Sequence, residues 1–433
     1  MLKFSTRRED SQAWASRAVL LGVLLATTSM RALAAGHETV LHRFKDGLDG
    51  SSPWAGLTPD GAGNLYGTAQ FGGANAEGTV FKMTPKPKGG WSFTPIYQLS
   101  GLASEGGAFP EDAPTFDSQG NLYVTTGTSG PSATPYGAIF QLVPGQNNSW
   151  SIGKTFAFNG NGSNGEGGNG AHPLASVIVD AQGNLYGTAS VGGVGNSGTG
   201  YGTVFELTPS GNSWTETTIH TFTGGDDGAF PGSSLIMDAR GDLYGTTPDG
   251  GSLNEGVVFK MSKDAKGQWK ETALHSFTDG QDGYNPKSNL IFDKAGNLYG
   301  TTAGYPGTVF ELIRPAKGNT AWTLNTLYQF TGGTDGGAPN SGLTFDRAGN
   351  LYGAAIDGGS TDTACGSFGC GVVYKLTPTQ TTPWTESVLY TFKGGRDGRE
   401  PLSTLFLGDD KLIYGTTARG GVGANGVVFS LSK

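Results

Sequence analysis

Five carboxylates stand at one repeated place in this sequence. Phe222-Thr-Gly-Gly-Asp-Asp-Gly-Ala-Phe-Pro231 sets the pattern around Asp227, and Asp49, Asp282, Asp335 and Asp397 occupy matching positions. Counting back four from Pro110 and Pro173 puts Gly106 and Asn169 in that place. Hard cations take carboxylate and carbonyl oxygens, so a ring of such residues suits Ca²⁺. It suits sugar hydroxyls equally. The plainer reading is turn chemistry, since Asp-Gly followed by Pro marks a turn and is copied wherever the unit is copied.

Catalysis asks for groups that break the repetition. Two long stretches do so. Residues 100–114 carry Glu105, Glu111 and Asp112, and residues 159–173 carry Glu166 and His172. The stretch 127–137 is atypical as well. Paired carboxylates serve glycoside hydrolysis or a related lyase chemistry, and a histidine serves as base. The competing reading is solvated acidic loop. No Gly-x-Ser-x-Gly elbow, His-Glu-x-x-His pair or phosphate loop occurs. His42, His220 and His275 share one position, two before a Phe, where Tyr97, Phe156, Tyr328 and Tyr390 stand in other copies. Exchange with Tyr and Phe indicates packing, not a metal cluster.

The elements that position these residues repeat visibly. Gly63-Asn-Leu-Tyr-Gly-Thr68 returns, with variants, around Tyr123, Tyr186, Tyr244, Tyr299, Tyr352 and Tyr414, at spacings of 53 to 63 residues. A fixed period of this size marks a repeat architecture. In the fourth copy, 234–238, 242–246, 257–261 and 269–277 read as four strands separated by turns. No stretch of 36–433 holds a helical period. The turn residues Asp60, Asp117, Asp180, Asp238, Asp293 and Asp346 are expected to cap their own turns, on the rim opposite the Asp227 series. The tyrosines are expected between neighbouring copies. Trp91, Trp150, Trp214, Trp269, Trp322 and Trp384 each precede an apolar residue by eight, which places both ends on one strand face.

The ends decide the closure. The last copy stops after its third strand, Val427 to Leu431, while His37-Glu-Thr-Val-Leu-His-Arg-Phe44 matches a fourth strand with Gly36 in the Trp place. The sequence therefore predicts an all-β, seven-bladed β-propeller of four-stranded antiparallel blades, closed by 37–44 pairing into the last blade. Closure removes two open edges. An open β-solenoid is the alternative.

Asp-x-x-Gly-Asn-Leu-Tyr-Gly-Thr, then Gly-Gly, then Gly-Thr-Val-Phe-Lys-Leu, resembles the GloVer tandem repeat of exported bacterial proteins whose C-terminal anchors differ. The resemblance spans 37–433, and the loop holding Cys365 and Cys370 resembles a common family variant. It implies export and tandem repeats, without a settled activity. No anchor is expected after the last copy.

Residues 1–35 read as a signal peptide: Lys3, Arg7, Arg8 and Arg17 precede an apolar run of eleven and Ala32-Leu33-Ala34. An ordinary secretory signal is the first reading and a twin-arginine signal the second. Its removal leaves residues 36–433 as one domain and takes the net charge from −8 to −11. An acidic chain without a basic cluster is a poor partner for nucleic acid or an anionic membrane surface. No later stretch is apolar enough to span a bilayer. Two cysteines in an oxidising compartment favour a local Cys365–Cys370 disulfide over a zinc site, which needs more ligands. The expectation is a monomeric periplasmic, secreted or cell-surface protein that binds a polysaccharide, an envelope component or a protein. No cofactor is required, and Ca²⁺ is the ion the acidic series suits. The alternative is a carbohydrate-active hydrolase or lyase using Glu105, Glu111, Asp112 or His172.

Overall fold

The turn aspartates set where each blade folds back. Asp60 Oδ1 accepts the Ala62 and Asn64 amides at 2.9 Å, and its Oδ2 accepts Asn64 Nδ2 at 2.7 Å and Tyr66 OH at 3.3 Å. Gly63 closes the turn at φ 81°, a left-handed conformation that favours glycine. The same network recurs at Asp117, Asp180, Asp293 and Asp346. Asp238 shares it, with Asp242 in the Asn place.

The computed structural model describes residues 36–128, 136–160, 168–193 and 200–432. The 1–35 signal, Glu166 and most of the 127–137 loop lie outside the described residues. The strands form seven antiparallel sheets arranged as a propeller. Blade four is representative: Ile236–Met237 innermost, then Leu243–Thr247, Val257–Lys263 and Trp269–Ser276 outermost. One cavity of about 360 Å³ touches residues at the inner strands of all seven blades, so it lies on the ring axis. Blade two has a fifth strand, Ala108–Pro110, laid beside Leu122–Thr128. Only two single-turn 3₁₀ segments, Ala103–Glu105 and Gln146–Asn148, interrupt the strands among the described residues.

The ring closes as the termini require. Glu38–Arg43 pairs antiparallel with Val427–Ser432, Glu38 opposite Leu431 and Arg43 opposite Val427.

Each outer strand carries a register shift against the third strand, as between Val258 and Phe259 in blade four. This bulge corrects one expectation. An extra residue reverses the side-chain alternation beyond it. The Trp and the apolar residue eight later therefore face opposite sides of the blade. Trp269 packs on Tyr186 of blade three, while Phe277 packs with Phe310 of blade five. The tyrosines do lie between blades, and all but Tyr352 stand edge-on or tilted against the next blade's Trp, as in Tyr66–Trp150 and Tyr244–Trp322; the blade after Tyr352 has Gly36 in the Trp place.

The Gly of Leu-Tyr-Gly makes room for the third-strand aromatic ring. A Cβ on Gly245 would come within 2.7 Å of Phe259 Cζ and 2.9 Å of Leu235 Cδ2. Cys365 and Cys370 form a disulfide, and both are buried against the blade-six to blade-seven core.

Gly245→Val should overpack this seam and cost roughly 1–3 kcal/mol. A lower urea midpoint or Tm than the parent is expected. An unchanged midpoint would remove the close Gly–Phe approach as a constraint.

Candidate functional site

The crossings between blades share a rim with the second-to-third-strand loops. Ser51 bridges Phe71, Ala171 bridges Val191, Ala229 bridges Asp249 and Arg399 bridges Arg419. The residue before each crossing proline is left-handed in every blade: Ser52, Phe109, His172, Phe230, Asn285, Ala338 and Glu400, at φ 49° to 60°. From there the chain runs inward, and the next residues line the channel mouth.

The five aspartates each serve their own crossing. Asp282 accepts Thr278 N at 3.1 Å, Thr278 Oγ1 at 2.7 Å, Gly280 N at 3.2 Å and His275 Nε2 at 3.1 Å. Asp227 does the same with Thr223 and His220, and Asp49 with Lys45 N, Gly47 N and His42. Asp335 accepts Tyr328 OH and Asp397 accepts Tyr390 OH, at 3.0 and 2.9 Å. They stand one per crossing. Among the described residues no group of three or more His, Cys, Asp or Glu gathers to hold a metal ion. The histidine position thus has a polar role beyond packing. The signal was present in the sequence: where the Asp is replaced by Asn169, the outer strand offers Phe156, which has no polar atom to pair.

Burial pulls His42 and His220 below the ordinary histidine value, so each reaches its Asp as a neutral donor near pH 7. Three outer-strand glutamates lie near the same aspartates. Burial, with Asp397, Asp227 and Asp335 adding repulsion, raises Glu38, Glu271 and Glu386 to about 7.

The axis is different in kind. A cavity of about 540 Å³ opens on the crossing rim and takes residues from all seven blades. Just after each crossing proline stands an unlike set: Trp54, Glu111, Leu174, Gly232, Lys287, Asn340 and Leu402. One residue further in, the repeat holds Ala55, Ala175, Ser233, Ser288, Ser341 and Ser403, but Asp112 in blade two. The serines have a local task. Ser288 Oγ accepts Thr301 N at 2.9 Å and Ser403 Oγ accepts Thr416 N at 2.9 Å. Asp112 instead reaches into the channel, where its Oδ2 accepts Ser176 N of blade three at 3.0 Å and Ser234 Oγ of blade four at 2.8 Å. Asn289 Oδ1 of blade five accepts Ser234 N at 2.7 Å and continues the belt. Asp112 borders both axial cavities.

Glu111 accepts Gln70 Nε2 at 3.0 Å, and burial with Asp112 beside it raises its carboxyl to about 7. Of the four residues proposed for catalysis, Glu111 and Asp112 share this mouth. Glu105 lies in the 3₁₀ turn before it, its carbonyl accepting Tyr97 OH at 2.9 Å. His172 turns Nδ1 to the Gly127 carbonyl at 2.9 Å and does not line the cavity.

The family model of the Gloeobacter/Verrucomicrobia repeat matches residues 27–201 and 164–365. The chain belongs to this family. The Leu-Tyr-Gly element of this chain lies in the second strand of its blade. Curated proteins give no match. Among solved structures, a Thermus thermophilus protein provisionally named an oxidoreductase (glucose dehydrogenase) is 16% identical, covers 75% of this chain and 97% of its own, and has a TM-score of 0.43. A Lactobacillus plantarum protein is 14% identical over 81% of this chain and 86% of its own, with a TM-score of 0.48. Neither says what this repeat protein binds.

Two outcomes follow. Asp282→Ala leaves four donors without their acceptor and should cost about 1–3 kcal/mol in unfolding experiments. The glutamates give a pH signature. A carboxyl raised in the folded state contributes stability below its ordinary value near 4.5 that is lost as pH rises through about 7. The Tm of the parent should therefore fall relative to Glu271→Gln/Glu386→Gln between pH 4.5 and 7. The lowered histidines act oppositely, since stability falls with pH below 6.5, but they are common to both proteins. Parallel Tm curves would refute the assignment.

Proposed function

We propose that this chain is an exported, non-catalytic binding propeller, periplasmic, secreted or at the cell surface, and that its crossing rim grips a polysaccharide as a monomer. One observation carries this. Among the described residues the exposed large hydrophobics are Leu48, Trp54, Phe71, Leu102, Leu174, Leu253, Tyr305, Phe368 and Val422. All nine lie on crossings or on second-to-third-strand loops, hence on one rim, and none of the described turn loops opposite carries one. Apolar surface kept in water on a single face marks an interaction face. Trp54 stands at the channel mouth among amide and carboxyl groups, the mixture that meets a sugar's apolar face and hydroxyls.

The hydrolase or lyase reading has less support. Glycoside cleavage needs a second carboxylate with a free oxygen opposite the acid. Glu111 is suited to be an acid, but Asp112 Oδ2 is held by two donors and its Oδ1 by Ala113 N at 2.7 Å. No cofactor enters the reading. Ca²⁺ would have to displace donors already bound to each crossing aspartate.

A thermal unfolding scan of the mature chain tests this, with and without Ca²⁺, after EDTA, and against plant and bacterial polysaccharides. A ligand at a hundred times its Kd adds about 2.7 kcal/mol, a shift of several degrees. The expected shift is with polysaccharide, lost in Trp54→Ala/Phe71→Ala and kept in Asp282→Asn. A Ca²⁺ shift lost in an Asp227/Asp282/Asp335 variant would move the site to the aspartates. A shift only with an envelope protein would replace the polysaccharide.

A further inference from the structure

The channel mouth is polar in a directed way. Lys287 is the only cation lining it, is exposed, and makes no ion pair among the described residues. Beside it stand Asn289 and Asn340. Asn289 uses its Oδ1 toward Ser234, while its Nδ2 and the Asn340 amide make no hydrogen bond within the described residues. These donors belong to blades five and six. Across the axis, on blades one and two, stand Trp54 and Glu111. Behind Glu111, Gln70 is only 6% exposed and its Oε1 has no partner.

We propose that the channel mouth takes the acidic end of a glycan, a uronate residue, with its ring on Trp54 and its carboxylate received by Lys287, Asn289 and Asn340. This rests on the reading of the rim as a polysaccharide-binding face. A lone ammonium flanked by amide donors is matched by one carboxylate and left unsatisfied by a neutral sugar. The apolar ring of Trp54 on the far side suits a pyranose face. The cavity lies within the range of sites for small ligands, which fits an end residue and not a threaded chain. Asp112 bars the way further down the channel through its bonds to Ser176 and Ser234.

Glu111 gives the site a pH dependence with a definite sign. The groups facing it are Asp112 on its own crossing and, across the mouth, Asp249 and Lys287; His172 is turned away to the Gly127 carbonyl. Glu111 is raised to about 7 by burial, so below that pH it is neutral and tolerates a second carboxylate. Above it, Glu111 is charged and repels one. Uronate affinity should fall as pH rises from 6 to 8.

The test is calorimetric titration of the mature protein with trigalacturonate and, in parallel, with maltotriose and cellotriose. Trigalacturonate should bind more tightly than either neutral trimer. Lys287→Met should weaken it on the order of tenfold and leave any neutral binding unchanged, since one charged hydrogen bond is worth that much. Glu111→Gln should keep the affinity at pH 6 and abolish its decline toward pH 8. Equal binding of acidic and neutral trimers, or indifference to Lys287→Met, overturns the uronate assignment while leaving a glycan-binding mouth. Failure of all three trimers, with long polysaccharides still shifting the Tm through Trp54, also overturns it and leaves the rim reading intact. Failure of every glycan in both experiments overturns both.

Discussion

Everything in this molecule depends on how one blade meets the next. The second strand carries that seam in three consecutive residues. Tyr places its hydroxyl on the turn aspartate of its own blade and, in every blade but the sixth, its ring against the next blade's Trp. Gly leaves space for the third-strand aromatic, and in five blades Thr reaches across, from Thr68, Thr188, Thr246, Thr301 and Thr416. Thr246 Oγ1 donates to the Ser288 carbonyl of blade five at 3.4 Å, and Thr416 Oγ1 to the Ala55 carbonyl of blade one at 2.8 Å. The second of these spans the closure, so the joint between the ends carries the same bond as the seams at Thr68, Thr188, Thr246 and Thr301. A repeat unit cannot bury its faces alone, and here each face is completed by a neighbour.

Most of this was legible because it is periodic. Strand runs, the turn aspartates, the inter-blade tyrosines and the strand lent by the N-terminus to the last blade all follow from residues recurring at fixed offsets. The outer-strand bulge was not legible. A bulge adds a residue to the backbone without changing the spacing of side-chain types, so Trp269 and Phe277 look like neighbours on one face and are not. The Asp–His and Asp–Tyr pairs were half visible. The exchange of His with Tyr suggested packing, and only the geometry shows that both carry a polar atom to the same carboxylate. The channel mouth was least legible. Many of its residues fall at one repeat position where, Leu174 and Leu402 apart, no two blades agree, and dissimilarity at a position reads in sequence as freedom.

Blade two shows how departures from the pattern are coupled. Val124 stands where other blades have the seam Gly. Phe140 therefore lacks the space its equivalents occupy, and its ring lies where a side chain on Gly106 would come within 2.6 Å. That accounts for Gly in place of the crossing aspartate. Tyr97, left without its carboxylate, donates to the Glu105 carbonyl. The crossing then lays down an extra strand, Ala108–Pro110, and delivers Glu111 and Asp112 to the axis. Irregularities scattered from Tyr97 to Phe140 thus form one connected rearrangement.

Ring symmetry explains why the axis is where such a rearrangement matters. A residue on the outer rim is one of seven well-separated equivalents, and five similar aspartates remain five separate loop caps. Residues at the channel mouth converge on a single volume. A change in one blade there alters a site that exists only once per molecule. Asp112 makes the point physically. Its methyl- or hydroxymethyl-bearing equivalents stay within their own blades, while its carboxylate binds blades three and four at once. A repeat protein can therefore keep its seams uniform, as stability requires, and still acquire an individual binding site, provided the differences fall on the axis.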